Sequence, residues 1–186
     1  MRSKPSAEDA NLILRLYELR REPRMRQARS WFMSSFHAST VEEYQRLCPP
    51  GSEENASFRM MVTYWDMAAS FVASGALNAE LFYENNQELL WVWERLRDLL
   101  PEARTLGKNP IQLRSLEKVA QGHIAWLKDN APEYYPVFSA FVRGTGKAEQ
   151  SAVEIADVSD TADAADSADT ADFEPASEAF PGDEAN

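Results

Sequence analysis

Between Arg20 and Arg29 the chain places five arginines, Arg20, Arg21, Arg24, Arg26 and Arg29, with Glu18 and Glu22 beside them. A guanidinium is a permanently charged, forked donor, so such a cluster suits bidentate capture of a carboxylate or phosphate. It equally suits a structural task, in which the arginines pair with the adjacent glutamates and with Asp66 and tie helices together. That second outcome is the favoured expectation, and the two combine if Asp66 aims one arginine at a ligand. Arg59, Thr63, Asp66 and Ser70 recur at helical steps of four, three and four, forming one narrow polar stripe on an otherwise apolar helix. Tyr64 and Trp65, beside Asp66, offer with Trp91 and Trp93 aromatic walls for a small-molecule pocket. Core packing is the commoner task of aromatics at helical spacing. The candidate binding residues are therefore Arg20, Arg21, Arg24, Arg29, Arg59, Tyr64, Trp65 and Asp66.

No other set carries chemistry. The two histidines, His37 and His123, fall on different expected elements, and neither has a glutamate three residues before it, as a carboxylate-bridged metal pair needs. His123 shares a stripe with Leu116, Val119 and Trp126 and is expected as a satisfied, partly buried imidazole; His37 follows Phe36 near a helix end and is expected to bond a terminal carbonyl. Cys48 is the single cysteine, so an intramolecular disulfide and a thiolate zinc site are excluded by count. Its place at the end of an expected helix disfavours a thiolate and makes it a core filler. Gly144-Thr145-Gly146-Lys147 looks like part of a phosphate loop, but Phe141 stands at the first glycine, Ala148 replaces Ser or Thr, and no strand precedes it. No catalytic residue, metal ligand or cofactor is assigned.

The elements that must hold these residues are helical throughout, up to Arg143. Ser6 caps a first helix with Leu12, Ile13, Leu16 and Leu19 as its buried stripe. Pro23 ends it and opens a second helix carrying Met25, Ala28, Phe32 and Phe36. Thr40 with Glu43 has the spacing of a capping box for a short helix to about Leu47, before Pro49-Pro50-Gly51. Ser52 opens a long central helix closed by Gly75. Asn78 caps a short helix, and Asn85 or Asn86 a longer one through Leu89, Trp93, Leu96 and Leu100, which Pro101 is expected to end. A helix from near Pro110 carries Leu113, Leu116, Ala120, Ile124 and Leu127, with Gly122 marking a close approach by a neighbour. A short helix spans Tyr134 to Phe141. The predicted fold is all-α, an irregular bundle of about six to eight helices over residues 1–143.

Charge divides the chain at the same place. Of 30 acidic residues 12 lie beyond Arg143, against one of the 19 basic ones, so the body is balanced and the net charge of -11 belongs to the tail. A neutral body has no long-range field to steer polyanions, and nucleic acid is not an expected partner. From Asp157 to Asp172 an aspartate recurs every third residue. On a helix each such step drifts by about 60°, so the aspartates would wind round the whole cylinder and bury nothing. Residues 144–186 are therefore expected as a disordered Asp/Ala-rich tail, either a solubilising appendage or a polyanion mimic for the basic patch. No apolar stretch is long enough for a membrane span, and Glu8 and Asp9 interrupt any secretory signal, so the expected location is the cytoplasm.

The stretches LILRLYELRREPRMRQARSWF and ENASFRMMVTYWDMAASFVASGALNAELF resemble a family of small, uncharacterised all-helical bacterial proteins known as a domain of unknown function. The similarity extends over Glu8 to Arg143. It implies a helical fold and supplies no activity, cofactor or catalytic residue. Some relatives in the broader group look membrane-attached, which this chain, having no span, does not inherit.

Three functions fit these residues. The favoured one is a non-enzymatic helical module that binds another protein, or its own copy, through the arginine-bearing first two helices. The second is a small-ligand receptor or enzyme with a pocket near the arginines and Asp66, the carboxylate acting as base or orienter. The third is weak nucleic-acid binding masked by the acidic tail.

Overall fold

The computed structural model describes residues 4–144, so the acidic tail and most of the phosphate-loop look-alike lie outside the described residues. Those residues form nine helices and no strand: α1 (Ala7–Arg21), α2 (Pro23–Ser35), α3 (Val41–Leu47), α4 (Glu53–Ala73), α5 (Ala79–Asn85), α6 (Glu88–Leu96), α7 (Leu100–Leu106), α8 (Arg114–Asn130) and α9 (Tyr134–Val142). The fold is all-α. Among the described residues no helix is long and apolar enough to cross a membrane.

Local rules set most of the boundaries. Ser6 and Asp9 close a capping box on α1, and Thr40 and Glu43 close one on α3. Ser52 Oγ accepts from the Asn55 amide to open α4, and Gly75, at φ +78°, supplies the left-handed turn after it. Pro101 begins α7 instead of ending the preceding run, because a proline's missing N–H and fixed φ are harmless in a first turn. This adds a helix to those expected. α8 starts at Arg114, later than expected, because Leu113 sits in the left-handed region at φ +53° and breaks the run from Pro110.

α4 is the centre of the bundle, packed by α2, α8 and α6, while α9 closes over α6 and α8. Its polar stripe faces outward, and Met61, Val62, Tyr64, Trp65, Ala68, Ala69 and Val72 are buried. Phe32 and Phe36 stack at 4.9 Å, and Phe58 of α4 meets Phe36 at 4.9 Å, so α2 and α4 share an aromatic layer.

Gly122 does mark a close approach. A Cβ there would stand 2.5 Å from the Tyr83 hydroxyl oxygen, while the Tyr83 ring is stacked on His123 at 4.6 Å. Alanine in a helix interior is favoured over glycine by about 1 kcal/mol, but here it must push the phenol off its stack. Gly122→Ala is expected to destabilise the parent by about 1 kcal/mol and to stabilise a Tyr83→Phe background, where the next ring atom lies at 3.5 Å. Urea unfolding of the four chains measures this coupling, and equal effects in both backgrounds would show that the hydroxyl is not the obstacle.

Candidate functional site

Arg20, in the last turn of α1, and Arg29, in α2, converge on Glu88, the first residue of α6. Arg20 Nη1 and Arg29 Nε donate to the same Glu88 oxygen at 3.3 and 2.6 Å, and that side chain is 6% exposed. The Arg20 guanidinium also lies over the rings of Trp65 and Tyr17, 5.8 and 5.7 Å from their centres. These two arginines neutralise a buried carboxylate that already favours the positive end of α6. The carboxylate they share is Glu88, while Glu18 bonds Arg15 and Asp66 accepts from the Leu116 amide. Sequence reasoning missed Glu88 because an acid in a first turn looks like an ordinary dipole complement, and its partners are 59 and 68 residues away.

Arg21 lies over Tyr17 at 5.9 Å, whereas Arg24 is exposed and Arg26 half-buried, neither in an ion pair among the described residues. Ala7, Ala10, Leu14, Tyr17 and Arg21 follow one another at steps of three and four along α1, and all are exposed. Leu14 is 59% and Tyr17 42% exposed. The opposite side of α1 buries Leu16, whose carbonyl accepts from the Tyr64 hydroxyl at 2.7 Å. Leu19, expected in that buried stripe, is 48% exposed, because Arg20 takes the inward position over Trp65.

Tyr64 and Trp65 belong to the core. Trp65 is fully buried, edge-on to Tyr64 at 5.1 Å and to Phe82 at 6.5 Å, and burial holds the Tyr64 phenol far above its ordinary pKa. Trp91 packs edge-on against Phe138 and Phe141 of α9. Arg59 and Asp66 line an open cleft of about 480 Å³ with Tyr44, Phe58, Val62 and the 109–113 loop. Asp66 Oδ1 accepts from the Leu116 amide at 3.0 Å. Leu113, the residue at the α8 cap position, has no side chain that can accept, so Asp66 caps α8 from α4. The candidate residues are thus divided: Arg20 and Arg29 on Glu88, Tyr64 and Trp65 in the core, Arg59 and Asp66 in the cleft, Arg21 and Arg24 on the outer surface.

A denser polar cluster was not anticipated. Glu94 of α6 is fully buried and accepts from the Tyr135 hydroxyl at 2.5 Å, the Ser139 hydroxyl at 2.8 Å and Arg97 Nη1 at 3.3 Å. Arg143 approaches it at 3.9 Å and bonds Asp98 at 2.6 Å. Burial and the Glu94 carboxylate push the Tyr135 phenol up to about 12. One signal was readable: Glu94 stands one turn after Leu90 on the apolar side of α6, where an acid must find partners.

The remaining titratable groups are structural. His123 is buried, its Nδ1 has no hydrogen-bond partner among the described residues, and burial lowers it to about 4, so it is more buried and less satisfied than expected. His37 is exposed beside Arg95, and partial burial followed by that cation lowers its pKa, while a backbone bond at Ser34 opposes the shift. The buried Cys48 thiol is pushed up to about 11 by desolvation and then by Glu54. Among the described residues no group of three or more metal-ligating side chains comes together. A family model described as a domain of unknown function (DUF4760) matches residues 5–144, while no curated protein and no solved structure matches the chain.

Proposed function

We propose that this chain, which belongs to the DUF4760 family, works as a non-enzymatic interaction module that docks an acidic, apolar-bearing protein segment on the outward side of α1 and the start of α2. The observation that carries this reading is the exposure of Leu14 and Tyr17 in register with Arg21. A helix that has only its inner stripe to bury is expected to be polar outside, and α1 instead continues Ala7, Ala10, Leu14 and Tyr17 into cations. Glu18 is bonded to Arg15 and Glu88 to Arg20 and Arg29, which leaves Glu22 to balance Arg24 and Arg26. The face is therefore locally basic on a charge-balanced body, and electrostatic complementarity selects an acidic partner. Aromatic and arginine side chains are the types that carry most interface energy. The Glu88 bonds fix α1 and α2 to α6, so the surface is presented rigidly. The use of Asp66 as a cap and the buried setting of Tyr64 and Trp65 favour binding over catalysis. A free, buried Cys48 thiol is in keeping with a cytoplasmic location.

The test is fluorescence anisotropy of a labelled peptide alternating glutamate with leucine and phenylalanine, titrated with the intact chain. Saturable, salt-weakened binding is expected, reduced roughly tenfold or more by Arg21→Glu with Arg24→Glu. Both side chains are exposed, so unchanged circular dichroism separates lost binding from lost fold. Arg20 and Arg29 are left intact because Glu88 depends on them. Binding that ignores the charge reversal, or equal binding of a lysine-phenylalanine peptide, would sink the proposal. So would a dimer through this face that the same reversal abolishes, since a second copy would then be the occupant.

A further inference from the structure

We infer that the cleft between α3, α4 and the 107–113 loop binds small amphipathic monocarboxylates, with Arg59 and Tyr44 holding the carboxylate and Phe58, Val62 and Leu113 enclosing the apolar body. The inference is independent of the α1–α2 face, since it concerns another side of α4. The cleft measures about 480 Å³ and its wall mixes an aromatic and aliphatic floor with a few polar groups, the composition of ligand sites. Phe58 and Tyr44 make the aromatic part, their rings 4.7 Å apart and tilted at 52°.

The anion end is defined by two donors. Arg59 is exposed on the cleft wall, and its guanidinium makes no ion pair or hydrogen bond among the described residues. The Tyr44 hydroxyl accepts from Asn55 Nδ2 at 3.1 Å, and that amide also donates to the Cys48 carbonyl at 3.3 Å. With its oxygen oriented in this way, the hydroxyl keeps its own proton to donate. Burial raises the Tyr44 phenol, against the opposing pull of Asn55 and Arg59, so it remains a donor at neutral pH. Arg59 and Tyr44 share the cleft wall, near enough for the cation to act on the phenol, and a guanidinium with a phenol donor matches a carboxylate.

The far end sets specificity. Asp66 lies two helical turns from Arg59 along α4, about 10 Å away, and its carboxylate disfavours a second acid there. A monoacid with a neutral tail fits, and a diacid of the same length does not. The remaining wall is stiff: Arg104 Nε and Nη2 both hold the Gln112 carbonyl, at 3.0 and 2.8 Å, and Arg104 is itself fixed by Glu117 at 2.8 Å. Lys108 and Leu113 stand in left-handed conformations, at φ +49° and +53°. Each is strained in a non-glycine residue, and the Arg104 clamp and Asp66 hold the loop in place. Ile111 remains 64% exposed at the rim, where it can cover an apolar ligand.

The probes are octanoate, octanedioate and octanol, each titrated into the intact chain by calorimetry with amide shifts recorded in parallel. Octanoate is expected to bind and to move amides of Tyr44, Phe58 to Asp66, Asn109 and 111 to 113. Arg59→Gln should weaken it roughly tenfold or more, and Tyr44→Phe by a smaller factor, both with unchanged helicity. Octanedioate should bind less tightly than octanoate, and Asp66→Asn, which keeps an oxygen for the Leu116 amide, should narrow that gap. Octanol binding as well as octanoate, indifference to Arg59→Gln, or shifts confined to other surfaces would overturn the assignment. Concentration-dependent shifts of the same amides without added acid would overturn it in favour of a second copy of the chain.

Discussion

Glu94→Ala is expected to lower the unfolding free energy by about 3–5 kcal/mol, the cost of breaking a buried ion pair from one side. Glu94 is fully buried, and its two oxygens satisfy the Tyr135 and Ser139 hydroxyls and face Arg97 and Arg143. Removing the carboxylate leaves two hydroxyls without their acceptor and two partly exposed guanidinium groups without their shared counter-charge. Glu94→Gln keeps an acceptor and loses the charge, so it should fall between the alanine variant and Tyr135→Phe. The latter removes the short hydrogen bond to the charged Glu94, worth about 1.5–3 kcal/mol, and a longer one accepted from Arg97 at 3.4 Å. The Tyr135, Ser139 and Arg143 contacts join α6 to α9, so the damage should reach Trp91, which packs edge-on against Phe138 and Phe141. Urea unfolding followed by tryptophan emission checks both. An alanine variant within 1 kcal/mol of the parent would mean that the carboxylate does not anchor α9.

Acid is expected to weaken the fold through His123 before most carboxylates titrate. Burial lowers the native imidazole to about 4, against about 6.5 for an unfolded chain. Between those values the unfolded state binds more protons, so stability falls as pH drops and is fully present only above about 6.5. Integrated down to pH 4, the loss is about 3 kcal/mol. The groups around the ring are Tyr83, stacked at 4.6 Å, and Trp126 at 6.0 Å, and neither can compensate a positive imidazole. Denaturant midpoints measured from pH 7 to 4.5 should show this slope in the parent and in His37→Gln. In His123→Gln the slope should flatten, whatever that chain's stability at pH 7. A slope unchanged by His123→Gln would assign the acid sensitivity to other groups.

What could be read from the chain was what the backbone decides within a few residues. The Ser6 and Thr40 caps, the Pro23 boundary and the Gly75 turn each follow from steric and hydrogen-bond rules that span four residues or fewer. Pro101 shows the limit of such rules, because the same ring that stops a helix is welcome at the start of one, and only the packing around it selects between them. The candidate site was less legible for the same reason. The arginine cluster was visible, but Glu88 was not, since its pairing arises only when α6 docks beside α1 and α2. Asp66 looked like a partner for the arginines because its actual partner, an uncapped amide at Leu116, exists only if Leu113 adopts a left-handed conformation that no local motif announces. The outward Leu14 and Tyr17 were hidden by a helix apolar on both sides, where periodicity alone does not say which face is covered.

Asp66 is not the only acid that finishes a helix other than its own. Glu102 of α7 accepts from the Val41 amide that opens α3, at 3.0 Å, and Asp9 of α1 accepts from the Asn78 amide ahead of α5, at 2.8 Å. Three helix starts thereby each take one bond from a distant part of the chain, across 50 to 69 residues, and α3 and α5 have local caps besides. A segment excised with any one of these helices leaves that amide to water, so the last bond of its first turn waits on tertiary assembly. Such cross-wiring couples the starts of α8, α3 and α5 to α4, α7 and α1, and it ties the loop beside Arg59 to the packing of α8 on α4.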